Sequence, residues 1–228
     1  MFPTDTAIIK TYNKAGAEPK IGEYYFVSLL LDKSDKDYGV RYFTNPTDIY
    51  REFGDPVPEN RLSLAAKLMF QNGAGIIAMK QVKKESGLET ASDQTYMDAI
   101  ADLAKPLPGS DRKCDVIVPM STSPVVHQFL AKHLNTQASP RMRGEAIGFI
   151  GMPLTATPEQ VRSLARSIAS ERVILSYPGG AILDVDINGR STEFAVDGSF
   201  LAAAMAGLYL NPANDVATTL TRQKLVGF

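Results

Sequence analysis

Short apolar runs alternate with segments of helical periodicity along residues 75–177. The runs predict buried strands, and the spacing of apolar positions between them predicts amphipathic helices. The predicted strands are Gly75–Val82, Cys114–Val118, Glu145–Gly151 and Arg172–Tyr177. Helices are predicted from Ser92 or Asp93 to Leu103, from the Ser123 cap to about Leu134, and from the Thr157 cap to about Ala169. Strands and helices in this order favour a parallel sheet covered by helices on both faces.

The segment before residue 75 adds two strands and two helices. The aromatic and apolar stretch Glu23–Leu31 predicts a buried strand, and Val40–Thr44 a second, shorter one. A short helix is predicted to start at a Thr47 cap and to stop at Gly54. A longer helix is predicted over residues 60–71, with Leu62, Ala65, Ala66 and Met69 on one face and Asn72-Gly73 as its end.

The last part of the chain predicts a hairpin and a final helix. Ile182–Ile187 and Ser191–Ala195 flank Asn188-Gly189, the sequence of a type I′ turn, and a small-residue helix follows over about residues 199–210. Residues 1–20 predict an extended arm, so we divide the chain into this arm and a domain over residues 21–228. The fold class is therefore α/β: a mostly parallel sheet with helices on both faces, an appended β-hairpin and an extended N-terminal arm.

Composition narrows the possible functions. The chain has 228 residues, 24 Lys or Arg against 25 Asp or Glu, and a net charge of −1, which argues against nucleic-acid binding through bulk charge. The single cysteine, Cys114, excludes an intramolecular disulfide and favours a reducing compartment. No apolar run approaches the roughly 20 residues of a membrane span, and residues 1–20 lack a signal-peptide pattern. We expect a protein made in the cytoplasm, without direct contact to membrane or nucleic acid.

Glycine and serine motifs are the first candidates for chemistry. Residues 73–78 match G-x-G-x-x-A, but here the glycines follow a helix and open a strand, the reverse of a dinucleotide-binding turn. We interpret them as a helix end. Ser121, Thr122 and Ser123 follow a strand at the position where open α/β sheets bind ligands. No nucleophile-elbow pattern surrounds them, so a loop with a helix cap is favoured.

Metal and acid–base candidates are few. His127 and His133 lie on different faces of one predicted helix, and no spacing completes a four-ligand zinc site with Cys114. We expect a buried structural cysteine, two partly exposed histidines and no bound metal or cofactor. Asp184 and Asp186 share one face of the hairpin, for which a solvated strand is the favoured interpretation. Tyr177-Pro178-Gly179-Gly180 favours a turn over a phosphate site.

Two segments are candidate inter-subunit contacts. The arm carries Ile8, Ile9 and Tyr12, which suit addition of a strand to a neighbouring sheet. Arg141 and Arg143, with Lys132 nearby, form a basic cluster that favours a solvated surface or a subunit contact.

Three regions resemble the tail sheath proteins of contractile bacteriophages and related contractile injection machines. Phe43–Gly54 is similar to the family's short helix ending in Phe-Gly, and Leu64–Val82 to the helix, Asn-Gly stop and strand that follow. Ser170–Phe228 resembles its strand ending in Tyr-Pro, its Ala-Gly-rich helix and its Pro-Ala-Asn segment. The family's Pro-Gly-Val-Tyr near the N-terminus is missing. Members of the family continue beyond the position of Phe228 into an inner domain, so we expect this chain to correspond to the outer portion.

The resemblance implies a structural protein without catalytic residues. It implies a homo-oligomer of hexameric rings stacked helically around a tail tube protein, with baseplate and tail terminator proteins as further partners. Such a sheath belongs to the virion and shortens to drive the tube through the host envelope, which leads to ejection of the genome. Two alternatives stay open: a small-molecule enzyme with Ser121–Ser123 at a strand end, and a tail-associated adaptor.

Overall fold

Six strands form one sheet, and a separate hairpin follows it along the chain. The computed structural model describes residues 26–31, 39–57, 60–82, 91–106, 113–142, 144–178, 181–187, 190–211, 220 and 223–228. The strands are β1 Phe26–Leu31, β2 Val40–Phe43, β3 Ile77–Val82, β4 Val116–Pro119, β5 Ile147–Gly151, β6 Val173–Ser176, β7 Ala181–Ile187 and β8 Arg190–Val196. The helices are α1 Pro46–Phe53, α2 Arg61–Gln71, α3 Asp93–Asp102, α4 Pro124–Gln137, α5 Pro158–Ile168 and α6 Gly198–Tyr209.

The sheet order is β2-β3-β1-β4-β5-β6. Strands β3, β1, β4, β5 and β6 are parallel, and β2 adds an antiparallel strand at the edge beside β3. Phe26 of β1 pairs with both Ile77 and Val116, which places β1 between the two neighbours that the chain reaches later. The parallel strands therefore follow the doubly wound order of an open α/β sheet, and the predicted fold class is confirmed.

Side chains of successive strand residues enter two different cores. Ile77 and Met79 of β3 pack on one face of the sheet with α1, α2 and α6, whereas Ala78 and Val82 pack on the other with α3 and α4. Phe149 and Ile150 of β5 divide in the same way. This alternation follows from the two-residue period of a strand, and it explains why the parallel strands read as continuous apolar runs.

Local sequence signals set most element ends. Asn72 caps α2, and Gly73 follows with φ +110°, a conformation that a residue with a β-carbon adopts at a cost. The inverted G-x-G-x-x-A is thus a helix end, as predicted. Thr157 and Gln160 form a reciprocal capping box at the start of α5.

The predicted cap of α1 is wrong by two residues. Asn45, not Thr47, is the N-cap: its side-chain oxygen accepts from the Thr47 backbone N–H at 2.9 Å. Pro46 takes the first helical position, where its missing N–H removes no helical hydrogen bond. The end of α1 at Gly54 is confirmed.

The hairpin strands pair antiparallel from Ala181 with Val196 to Ile187 with Arg190. The predicted turn Asn188-Gly189 and the side chains of Asp184 and Asp186 lie outside the described residues, as does the predicted arm over residues 1–20. Among the helices that the structure describes, none has the length and apolar character to cross a membrane.

Candidate functional site

The end of the sheet where the parallel strands finish, here called the carboxyl edge, is where this fold would bind a ligand. Helices α3, α4 and α5 each begin there, because each follows a parallel strand. Helix α6 also begins there, since Gly198 lies against Met152 and Ser176 at the ends of β5 and β6. Helix α2 begins beside it, since Arg61 contacts Asp197 and Ser199. Five helix N-termini therefore meet at one edge.

The predicted serine loop lies at this edge, after β4. The Ser123 hydroxyl donates to Asp93 Oδ2 at 2.9 Å, and the Ser121 hydroxyl accepts from the Ser123 backbone N–H at 3.2 Å. Ser123 occupies the N-cap position of α4 without a side-chain capping bond. Its hydroxyl instead joins the start of α4 to the start of α3.

A histidine lies beneath that loop. His127 is completely buried, and its Nε2–H donates to the Ser121 carbonyl at 2.8 Å. Its Nδ1 has no hydrogen-bond partner among the described residues. Burial lowers the pKa of His127 to about 4, against the raising effects of the Ser121 carbonyl and the Asp93 carboxylate. The predicted partial exposure is therefore wrong for His127, because α4 turns this residue toward the sheet.

An ion pair that sequence analysis missed joins the starts of α2 and α6 at this edge. Arg61 Nη1 contacts Asp197 Oδ2 at 2.7 Å, and Arg61 Nη2 donates to the Ser199 hydroxyl at 2.8 Å. The guanidinium lies 4.7 Å from the ring centroid of Phe200. Asp197 also caps α6 by accepting from the Ser199 backbone N–H at 2.9 Å. The Asp-Gly-Ser start of α6 signals the cap, but no local pattern signals a partner 136 positions away.

The N-terminus of α6 occupies space above β5 and β6. The Gly198 N–H donates to the Met152 carbonyl at 2.8 Å. A β-carbon on Gly198 would lie 2.7 Å from the Met152 nitrogen and 2.8 Å from the Ser176 carbonyl oxygen. Only a glycine fits so close to two backbones. The polar side chains of Ser123, Arg61 and Asp197 thus bond to other groups of the protein at this edge.

The other candidates for metal binding or nucleophilic chemistry are Cys114 and His133. Cys114 is buried, and burial raises the pKa of its thiol to about 12, which keeps it protonated and unreactive. His133 is half-buried, and burial lowers its pKa. Among the described residues, no group of three or more His, Cys, Asp or Glu side chains is arranged to hold a metal ion.

A cavity of about 410 Å³ lies away from the carboxyl edge, between α4 and α5. Its lining is mostly polar and includes Gln128, Lys132, Asn135 and Ser167. The loop Ser121–Ser123, for which a ligand site was the less favoured interpretation, does not line this cavity.

Of the predicted inter-subunit residues, the structure describes one. Arg141 is exposed in the turn after α4, at the end of the sheet opposite the carboxyl edge. Lys132 is exposed further up the same helix. Ile8, Ile9, Tyr12 and Arg143 lie outside the described residues.

Comparison with known proteins identifies the fold. The chain is similar to the sheath complex of an extracellular contractile injection system, PVC, in its contracted state, with a TM-score of 0.51 and 12% identity over 84% of this chain and 45% of that one. It is also similar to the contracted helical sheath of the anti-feeding prophage, AFP, with a TM-score of 0.46 and 14% identity over 83% and 46% of the two chains. A chain of the AFP baseplate matches with a TM-score of 0.46 and 17% identity over 85% and 49%.

The chain therefore has an α/β fold like that of the PVC sheath. It spans less than half the length of each of these structures. No family model and no curated protein sequence matches.

Proposed function

We propose that this chain is the outer portion of a structural subunit of a contractile tail sheath, of the bacteriophage or injection-machine type. The observation that carries the proposal is the likeness of its fold to the PVC sheath over 84% of the chain. In the proposed assembly, subunits form hexameric rings that stack helically around a tail tube protein. Contraction of the stack drives the tube through the host envelope.

The chemistry of the carboxyl edge supports a structural role. In an enzyme of this fold, polar side chains at the strand ends would converge on a ligand pocket. Here Ser123 bonds to Asp93, and Arg61 bonds to Asp197 and Ser199. Groups that satisfy one another in this way hold helices together and have little capacity left for a substrate.

The remaining elements of the proposal concern partners and place. The assembled protein would belong to the tail of a virion or virion-like particle, with baseplate and terminator proteins at the two ends of the sheath. The predicted arm over residues 1–20, with Ile8, Ile9 and Tyr12, would add a strand to a neighbouring subunit. Deletion of residues 1–20 should then prevent polymer formation, and unchanged polymers would refute this role for the arm.

Electron microscopy of the purified full chain, alone and co-expressed with its tail tube protein, tests the proposal. Tubes or six-fold rings, with a subunit fold that fits the density, are the expected result. A monodisperse monomer that melts at higher temperature in the presence of a small ligand would refute the sheath role in favour of an enzyme. A defined complex with other tail proteins but no polymer would instead favour an adaptor.

A further inference from the structure

Three exposed apolar side chains lie along the carboxyl edge. They are Val125 at the start of α4, Leu154 after β5 and Tyr177 after β6, with 50%, 48% and 39% of their surface exposed. Because β4, β5 and β6 are neighbours in the sheet, the segments that follow them are neighbours as well. We call these three residues the carboxyl patch.

Charges near the carboxyl patch are predominantly negative. In the described loops and first helical turns of this edge, carboxylates are present at Asp55, Asp93, Glu159 and Asp197. Arg61, Arg51 in the last turn of α1 and Arg41 in β2 lie there as well, and they are bonded to Asp197, Asp48 and Glu52 respectively. Acidic residues favour helix N-termini because the macrodipole is positive at that end, so the meeting of several N-termini concentrates negative charge at one edge.

The opposite end of the sheet, here called the amino edge, has the reverse character. Helices α3, α4 and α5 end there, and the described loops and last helical turns carry cations at Lys105, Lys113, Arg141, Arg166, Arg172 and Lys224. Carboxylates also lie there, at Asp48, Asp102, Asp115, Glu145 and Glu171, but Asp48 is bonded to Arg51 at 3.3 Å and Asp102 to Lys80 at 2.8 Å. Large apolar side chains are exposed at this edge too: Met142 by 38%, Tyr209 by 44% and Val226, beside Asn72, by 47%.

We infer that the carboxyl edge of one copy of this chain binds the amino edge of a second copy. Both edges expose apolar side chains, and the predominant charge of one edge is opposite in sign to that of the other. This favours contact between a carboxyl edge and an amino edge and disfavours contact between two edges of the same kind. Such a contact is heterologous, so it repeats from copy to copy and builds an open stack where the repeat does not close into a ring. The inference deepens the proposed function and rests on it for the identity of the partner as a second copy.

Cysteine crosslinking between two variants of the full chain tests this pairing. Leu154→Cys labels the carboxyl edge and Arg141→Cys labels the amino edge, and a flexible bis-maleimide would join thiols that meet in the complex. The native Cys114 is buried and its thiol stays protonated, so it does not compete. Arg162→Cys, exposed on the side of α5, serves as the matched control for random encounters.

A mixture of the Leu154→Cys and Arg141→Cys chains should give a heterotypic crosslink well above that of Leu154→Cys mixed with Arg162→Cys. Reversal of charge at Asp55 and Glu159, both to Lys, should lower that yield about tenfold, the effect of roughly 1.4 kcal/mol. Higher salt should lower it too, since exposed charges are screened.

Two results would overturn the pairing: heterotypic crosslinks no higher than the control, or a predominance of Leu154→Cys chains joined to each other. The proposed function is judged separately, by microscopy of the same samples. Tubes without heterotypic crosslinks would leave a sheath that assembles through other surfaces. Heterotypic crosslinks without tubes or rings would leave a stacking protein that is not a sheath.

Discussion

Acidification should destabilise this domain through His127. The neutral imidazole is buried, and the pKa of His127 falls from its ordinary value of 6.5 to about 4. As pH falls below 6.5, the His127 imidazole binds a proton in the unfolded chain but stays neutral in the folded chain. Stability is therefore lost progressively between pH 6.5 and about pH 4, and below that the contribution of this group is constant.

The magnitude follows from the shift. Each pKa unit corresponds to 1.36 kcal/mol of differential stability, so a fall from 6.5 to about 4 corresponds to about 3 kcal/mol. That is a substantial fraction of the roughly 5–15 kcal/mol by which a typical domain is stable. Carboxylates titrate in the same range, so the effect of His127 has to be separated from theirs.

A comparison with His127→Gln isolates this contribution. Glutamine keeps an N–H that can reach the Ser121 carbonyl but does not titrate, while every carboxylate and His133 remain in both proteins. Urea unfolding of wild type and variant should be measured at pH 7 and pH 4. The free energy of unfolding of the wild type should fall by about 3 kcal/mol more than that of the variant over this interval.

Parallel pH profiles for the two proteins would refute the reasoning. They would mean that His127 carries its proton equally well in the folded chain, and hence that it is not buried as a neutral ring. The NMR titration of its ring protons offers a direct check, since a midpoint near 6.5 in the folded protein would lead to the same conclusion.

Three further substitutions test the packing at the two edges. Arg61→Ala should lower the free energy of unfolding in urea by about 2–3 kcal/mol, because it leaves the Asp197 carboxylate partly buried without its partner. If D197N alone costs as much as D197N combined with Arg61→Ala, the two residues act as a unit. Additive losses would contradict that. Gly198→Ala should cost about 1–3 kcal/mol in unfolding free energy, because the new β-carbon would overlap the backbones of Met152 and Ser176. The control Gly75→Ala, whose β-carbon would have no neighbour within 4 Å, should cost under about 1 kcal/mol. Equal effects would contradict the close contact at Gly198. Asn72→Ala removes the side-chain amide that bonds Val226 N–H and C=O at 2.9 and 3.1 Å, so limited proteolysis should cut the C-terminal segment faster; an unchanged cleavage rate would show that the amide does not hold it.

Periodicity predicted the elements well because the chain is locally consistent. The apolar runs of β3, β4 and β5 are buried, that of the edge strand β6 is half-buried, and Gly54 and Gly73 end helices where the sequence predicts. The cap of α1 was misplaced because Asn45 and Thr47 are both good caps, and the proline between them decides in favour of Asn45.

The contacts between distant segments were beyond prediction from one sequence. Arg61 and Asp197 meet because α2 and α6 lie side by side on one face of the sheet, and neither residue has a local signature of a partner. His127 was misjudged because a polar residue on a helix is ordinarily exposed, whereas here the Ser121 carbonyl supplies a bond that makes burial tolerable.

Helix α6 joins opposite ends of the domain through backbone contacts. Its first residue, Gly198, lies against Met152 and Ser176, and near its other end Gly207 lies against the backbone of Met69. A force applied at either edge would act on α6 in shear against the close-packed elements beside it. Close packing of this kind resists deformation along the length of the helix. Under mechanical tension we therefore expect α6 and the sheet to move together as one rigid body.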